Sequence, residues 1–543
     1  MYSSIGLVKK ITGVKCTHIE EVKTAVCVKT IDGETFEQQQ IIVQARPWKR
    51  IERQCPICRR KCPGYDTKSS SDSQWRGPNI NGMPLYFRYT PRRISCPEHG
   101  VRTEYIPWAD GSSRFLEAFN NEATYLAMNA AKTVVAEYLG INWRTVGNCI
   151  KAAHDRLEPD LTQRLRGVKR ICVDETSYKK GHKYITVVID MDTGNVIWIR
   201  EDRGDEVFKQ FCLELTEEER KQITIVAGDG AQWIDRQTKD FFPNAKRCVD
   251  PFHVVGWINE ALDSVRKSVA ARARNEASRE RNKIEEEAEQ ARIAWMMEYE
   301  KYLAAVEEMK ILSGKRGRKS AHFNEQKAFI SAFEEQYGET MDLLKKQKKG
   351  QLTEEQKARL AELDQKAANI KGCKYALGMN PENLNDRNTD RLELIKASSP
   401  ELYEAYKLKE TLRVIIHMNS REEAEKALNE WIEAARNSGF KSFEELADKI
   451  QQRTKGILNS IETGSNSAKS EQTNGRIKGL IHVAHGFRNL ENMFSMIYLC
   501  CSDIVVPLSN RYRPSAEKLR EKRERAARLR SARQKAKQAQ MSA

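Results

Sequence analysis

Hydrophobic and polar positions change period several times along the chain. Met83 to Thr90 alternates with the two-residue period of a strand, and residues 1–110 read as β-rich. KTVVAEYLGINWRTVGNCIK (132–151) then takes helical spacing, breaks at Leu139-Gly140-Ile141 and restarts behind Asn142, a good capping residue. Val134, Val135, Ile141, Val146 and Ile150 are its expected inner face, and small Ala136 lets the two helices approach. From residue 168 the period returns to that of strands. VKRICVDE, KYITVVID and NVIWIR read as three antiparallel strands, the last two joined by the turn Met191-Asp192-Thr193-Gly194. A helix (DEVFKQFCLEL), a buried strand (ITIVAGDGA), a helix stopping at Pro243 and a strand (AKRCVD) follow.

The next stretch is helical. Residues 260–310 are rich in Ala, Glu and Arg and contain no Pro or Gly, which predicts one long solvated helix. Their heptad order is loose, so the expectation is an extended arm rather than a regular coiled coil. The basic loop 314–319 (GKRGRK) ends it, and residues 323–365 and 400–458, including the run from Glu425 to Trp431, continue as amphipathic helices. A last helix from about Ser467 puts Glu471, Asn474 and Lys478 on nearly one face. The implied fold class is a multidomain α+β chain whose ribonuclease-H-like α/β core is interrupted by a long all-helical insertion. The expected boundaries are 1–110, a β-rich zinc-ribbon domain; 111–160, a helix-turn-helix domain; and 161–260, the first part of the core. Residues 261–460 form the insertion, 461–510 the final part of the core, and 511–543 a basic tail.

Composition narrows the function. The 543 residues carry 92 Lys and Arg against 76 Asp and Glu, a net charge of +16. The tail 511–543 holds twelve basic and three acidic side chains and reads as a solvated helix that orders partly on DNA. A polyanion partner, most often nucleic acid, follows from that balance, though ribosomal and membrane-surface proteins share it. No stretch approaches the roughly 18 apolar residues of a membrane span, and the N-terminus is too polar for a secretory signal. A cytoplasmic protein, at the nucleoid if DNA is its partner, is expected. The thirteen cysteines are scattered, and Cys172, Cys212 and Cys248 read as buried thiols.

Four positions stand apart. Cys55-Pro-Ile-Cys58 and Cys96-Pro-Glu-His99 are two closely spaced pairs on tight turns, able to give one structural zinc four ligands. Cys62 is a possible stand-in, and coincidental turns with free thiols are the plain alternative. Arg50, Arg53, Arg59, Arg60, Lys61, Arg92 and Arg93 surround the pairs. In 132–151 the second helix would present Trp143, Arg144, Thr145, Asn148 and Lys151 to a DNA major groove, although helical hairpins without that role share the pattern. Arg316 and Arg318 could enter an A·T-rich minor groove or simply lie in a solvated loop. Asp174 and Asp229 each end a buried strand. Two such carboxylates raise each other's pKa unless a cation joins them, and oxygen ligands suit Mg²⁺; capping their own loops is the other reading. Glu471 is the third-acid candidate, with Glu462 as its alternative, while Asn474 and Lys478 would touch phosphate.

In these motifs the chain resembles the ISL-three family of bacterial insertion-sequence transposases. The matching features are the cysteine pairs, the helix-turn-helix, Asp174-Glu175, Gly181-His182-Lys183-Tyr184, Asp229, Phe242-Pro243, Asp250-Pro251-Phe252-His253 and the segment from Glu471 through 485–492 (HGFRNLEN). The family more often has cysteine where His99 stands, and the 241 residues between Asp229 and Glu471 exceed what the family leads one to expect. The resemblance implies a transposase in which Asp174, Asp229 and Glu471 hold two Mg²⁺ ions. Water would cut at the element's ends, and the freed 3′-hydroxyl would then attack a target phosphodiester in line. His253 would sit behind Asp229. Double-stranded DNA, as ends and target, is the implied partner, and concerted cutting of two ends implies a homodimer. A catalytically inactive DNA-binding regulator and a ribonuclease-H-like nuclease are the alternatives.

Overall fold

The structure, a computed structural model, describes residues 4–31, 34–67, 73–109, 113–158, 160–313, 320–465 and 468–508, together with Lys518, Glu521, Arg525 and Arg528. It divides into two compact units, Met1–Asp250 with Ser465–Ala543, and Pro251–Gly464. Arg316, Arg318 and most of the tail lie outside the described residues. Among the described residues no helix is long and apolar enough to cross a membrane.

The first unit opens with α1 (Ser4–Thr12) and seven strands: β1 (Thr17–Ile31), β2 (Glu34–Pro47), β3 (Gly64–Thr67), β4 (Ser73–Ile80), β5 (Met83–Tyr89), β6 (Arg92–Cys96) and β7 (Gly100–Thr103). They form a four-stranded sheet, order β1-β2-β5-β4, and a three-stranded sheet, order β3-β6-β7. The alternating segment between the cysteine pairs is therefore a strand as expected, but as β5 it pairs with β2 and β4 and not with the sheet of Cys96. Its inward residues Leu85 and Phe87 join Val43, Trp75 and Trp108 in a core of their own, which removes it from the smaller sheet.

Three helices follow: α2 (Glu117–Ala127), α3 (Lys132–Leu139) and α4 (Trp143–Leu157). Gly140 takes the left-handed conformation (φ 65°) that ends α3, and the Asn142 side chain accepts from the Arg144 N–H to start α4. Val135, Ala136, Leu139, Val146 and Ile150 are buried as the period required. Val134 departs from the expected inner face at 55% exposed, because the buried stripe of α3 runs one position later, through Val135 and Leu139.

The third sheet of this unit has strands β8 (Arg170–Lys179), β9 (Lys183–Asp190), β10 (Val196–Glu201), β11 (Ile225–Gly228) and β12 (Lys246–Val249), in the order β10-β9-β8-β11-β12. The first three are antiparallel, whereas β8, β11 and β12 run parallel. Helices α5 (Asp205–Glu214), α6 (Glu217–Gln222) and α7 (Gln232–Phe241) connect them. β9 reads as an unbroken apolar run because both its faces are covered. Val188 packs with Phe208 and Phe211 on one side, while Ile185, Val187 and Ile189 share a cluster with Val146 and Ile150 on the other.

The second unit begins with α8 (Pro251–Ser313), 63 residues and roughly 95 Å long at 1.5 Å per residue. It is not a solvated arm. Val254, Ile258, Leu262, Val265, Val269, Ala273, Ala277, Ile284, Ala288 and Trp295 are buried along it at helical spacing. Helices α9 (Ala321–Tyr337), α10 (Met341–Lys346), α11 (Glu354–Gly372), α12 (Lys374–Gly378), α13 (Asp386–Ser398), α14 (Pro400–Ile415), α15 (Arg421–Arg436) and α16 (Lys441–Thr463) complete the unit. Of these, α9, α11, α12, α14 and α16 pack directly on α8. The expectation failed because alanine, which looks featureless beside Glu and Arg, is what lets neighbouring helices come close. The chain then returns to the first unit with α17 (Ala468–Val483) and α18 (Leu490–Cys501).

Candidate functional site

Parallel pairing sets the geometry of the sheet edge. Val173, Gly228 and Val249 are mutually in register on β8, β11 and β12, so the next residues stand at one level: Asp229 and Asp250 lie just past the ends of β11 and β12, whereas Asp174 is still inside β8, paired with Val187 of β9, and does not end its strand as the sequence suggested. Neighbouring strands lie ~4.8 Å apart. Gly228 is required there, since a Cβ would come within 2.8 Å of Ile234 Cδ1 and 3.0 Å of the Val173 carbonyl. Each proposed acid is fixed by a nearby backbone N–H: Asp174 Oδ1 accepts from Glu175 N–H (2.8 Å) within β8, and Asp229 Oδ1 from Ala231 N–H (2.9 Å) in the loop after β11. Behind them Arg247, nearly buried, bonds the Asp229 carbonyl and pairs with Asp235 at 2.7 Å, which places a positive charge under the acids.

Helix α17 covers this edge. Its buried face is Ser470, Thr473, Asn474 and Ile477; Thr473 Oγ1 donates to the Gly194 carbonyl at 2.7 Å and Lys469 bonds the Asp192 carbonyl, anchoring the helix to the β9–β10 turn. Asn474 Nδ2 donates to Asp174 Oδ2, while Asn474 Oδ1 is buried without a hydrogen-bond partner. Asn474, expected from the sequence to touch DNA, is thus turned to Asp174. Glu471 is exposed one turn earlier, at the rim of the same face, and Lys478 is exposed one turn later. Burial foremost, and then Asp250, push the Cys172 thiol up to about 12, so it stays protonated and leaves the edge to oxygen donors. Burial raises the Glu175 carboxyl, which accepts from Gly204 N–H at 2.9 Å on the opposite sheet face. His253 lies in the first turn of α8, in the second unit.

The Cys/His pairs do converge. Cys55, Cys58, Cys96 and His99 each offer a ligand atom within 4.8 Å of the others, the one such group among the described residues. The carboxylates of the sheet edge are not gathered so tightly. Cys58 Sγ lies 3.7 Å from Cys96 Sγ, and His99 Nδ1 is 3.5 Å from Cys96 Sγ and 3.8 Å from Cys55 Sγ. Zinc bonds of about 2.3 Å set tetrahedral edges of roughly 3.5–3.8 Å, so the donors fit zinc. Cys62 is buried nearby, bonded to the Arg60 carbonyl, outside the group. Cys55, Cys96 and Cys62 share a small core with Ile94, and Cys58 packs against it. Purified protein should therefore contain about one zinc per chain, and Cys58→Ser should release it and weaken DNA binding while the sheet of β8–β12 stays folded. Zinc content with binding isotherms checks this, and metal-stripped protein of full DNA affinity would refute it.

On α4 the exposed face carries Trp143, Arg144 and Asn148, with Thr145 and Lys151 half-buried. Lys151 pairs with Asp155 at 3.1 Å and lies 3.8 Å from Glu491.

Acids set level on adjacent strands, a four-ligand Cys/His module and an excess of basic side chains suit an enzyme that works on nucleic acid. The profile of the ISL-three family, described as "Transposase", matches residues 171–346 and 334–497, more than half of the chain. The chain belongs to that family of transposases. It is 29% identical over 497 residues to a protein of Mycobacterium tuberculosis (strain H37Rv) named "Transposase for insertion sequence element IS1557", covering 91% of this chain and 95% of the other. A Bordetella parapertussis protein, "Transposase for insertion sequence element IS1001", is 24% identical over 412 residues, 75% of this chain and 79% of its own. Matches of that extent run through the helical unit.

Proposed function

We propose that this transposase cuts the ends of an insertion sequence and joins the freed 3′-hydroxyl to target DNA, using Asp174, Asp229 and Glu471. The observation that carries the reading is the register that sets Asp174 and Asp229 side by side, under a helix whose Asn474 holds Asp174. The strand order, three antiparallel strands followed by two parallel ones on the far side of β8, is that of a ribonuclease-H-like core and supports it.

Oxygen donors and the buried, unpartnered Asn474 Oδ1 suit a hard cation. Two Mg²⁺ ions held by Asp174, Asp229 and Glu471 would stabilise the charge on the attacking and leaving oxygens of phosphoryl transfer. The protein's part is positional. Arg247 and the Asp229 loop hold one carboxylate, Asn474 orients another, and α17 brings Glu471 to the rim. His253 is kept as a residue supporting Asp229, and Lys478 as a phosphate contact beyond Glu471. The Cys/His module and the α3–α4 pair, read as a helix-turn-helix, hold the DNA, and a homodimer would bring two ends together. The domain boundaries proposed from the sequence stand as the functional division, with 261–460 as the helical insertion.

Incubating the protein with a labelled element end, a target plasmid and Mg²⁺ tests this. A nicked end and a joined product are expected. Nicking without joining would favour a nuclease, and binding with neither reaction a regulator. For the reading helix, Asn148→Ala should lower the preference for the end over scrambled DNA by ~1–3 kcal/mol, the worth of a bidentate base contact. Competition binding measures it, and an unchanged preference would remove Asn148 from the readout.

A further inference from the structure

A second feature of the first unit is a cleft of about 960 Å³ between the start of α4 and the loop joining α17 to α18. Lys132, Arg144, Lys179 and Arg488 line it, and no lining residue is acidic. None of the four cations forms an ion pair among the described residues. Three of them lie over aromatic rings instead: Lys132 Nζ is 4.7 Å from the centre of Phe487, and the guanidiniums of Arg144 and Arg488 are 5.5 and 5.8 Å from that of Trp143. A ring positions a cation without neutralising it, as a carboxylate would. Four like charges kept close and un-neutralised repel one another, and an anion of high charge density relieves that cost.

We propose that this cleft clamps the phosphodiester backbone of the transposon-end DNA, through Lys132, Arg144, Lys179 and Arg488. This rests on the reading of the protein as an end-binding transposase and adds to it a site built jointly by α4 and the loop 484–488. Arg144 then serves phosphate rather than a base edge. Both walls lead to the proposed acids. Lys179 is five residues beyond Asp174 on β8, roughly 17 Å at strand rise. Ala484 is thirteen residues beyond Glu471, roughly 20 Å at helical rise. Backbone gripped here is thus tied to the same strand and helix that carry Asp174 and Glu471.

The test is the salt dependence of binding, measured by anisotropy on a labelled end duplex and a scrambled duplex of equal length. The double variant Lys179→Ala with Arg488→Ala, both exposed, should flatten the slope of log K against log salt by about 1.8 on both duplexes, since each lost phosphate contact removes ~0.9. The ratio of affinities for the two duplexes should not change. Lys179→Arg with Arg488→Lys should keep the wild-type slope, which guards against a folding defect. An unchanged slope in the alanine variant overturns the clamp, as does a collapse of the affinity ratio at constant slope. The broader reading fails separately: it falls if the wild-type protein shows no preference for the end.

Discussion

Asp174→Asn and Asp229→Asn should each abolish end cleavage and strand transfer, lowering the rate by at least about 10³-fold, while end DNA still binds. Both substitutions keep the shape of the side chain and the backbone N–H bonds from Glu175 and Ala231, because an amide oxygen accepts as a carboxylate oxygen does. What they remove is one negative charge from a site where that charge would hold the ions stabilising developing oxyanions, and Asp174→Asn also takes away the oxygen that accepts from Asn474 Nδ2. Loss of one fixed donor to a developing oxyanion already costs about 10²–10³, and loss of a ligand should exceed it. Binding should hold or tighten, because a carboxylate beside a phosphate repels it. Labelled-end cleavage read together with binding isotherms decides the matter. If both variants cleaved at the wild-type rate, the metal-site reading would fall. Glu175→Gln is the contrast: its side chain lies on the other face of β8, toward Gly204, so it should retain far more activity.

The sequence made some of this legible because certain features are local. Two residues between cysteines encode a knuckle, Gly140 and Asn142 encode a break and a restart, and the apolar run before Asp229 encodes a strand end, whereas the run before Asp174 does not, because β8 continues to Lys179. Features that depend on distant partners did not show. Asp250 closes a four-residue strand just before Pro251, and only the register of β11 with β12 reveals that it stands level with Asp174 and Asp229. Spacing put Glu471, Asn474 and Lys478 on one face, but the β9–β10 turn decides which edge of that face is buried. The same blindness applied to α8, whose buried alanines are covered by helices up to 200 residues away. The aromatic partners of Arg488 and Lys132 were equally out of view, since each pair joins the α3–α4 segment to the loop after α17.

Helix α17 yields the other large effect. Glu471→Gln should abolish cleavage as fully as the aspartate variants, and extra Mg²⁺ should not restore it, since a ligand charge is gone. Asn474→Ala should behave differently. It removes the donor that holds Asp174 Oδ2 but leaves all three acids in place, so the acids remain competent yet less well oriented. Loss of such a supporting hydrogen bond typically weakens metal affinity or activity by about 10–100-fold. Activity of Asn474→Ala should therefore rise toward wild type as Mg²⁺ is raised, with end binding unaffected throughout. Titrating Mg²⁺ against cleavage rate for both variants separates the roles. Equal, unrecoverable loss in the two would mean that Asn474 is itself required for the chemistry. Wild-type cleavage by Glu471→Gln would send the search for a third acid elsewhere, and Glu462 is then a poor choice, being paired with Arg421 at 2.8 Å in the helical unit. Asp250 is the better one, because it is buried at the level of the other two on the neighbouring strand.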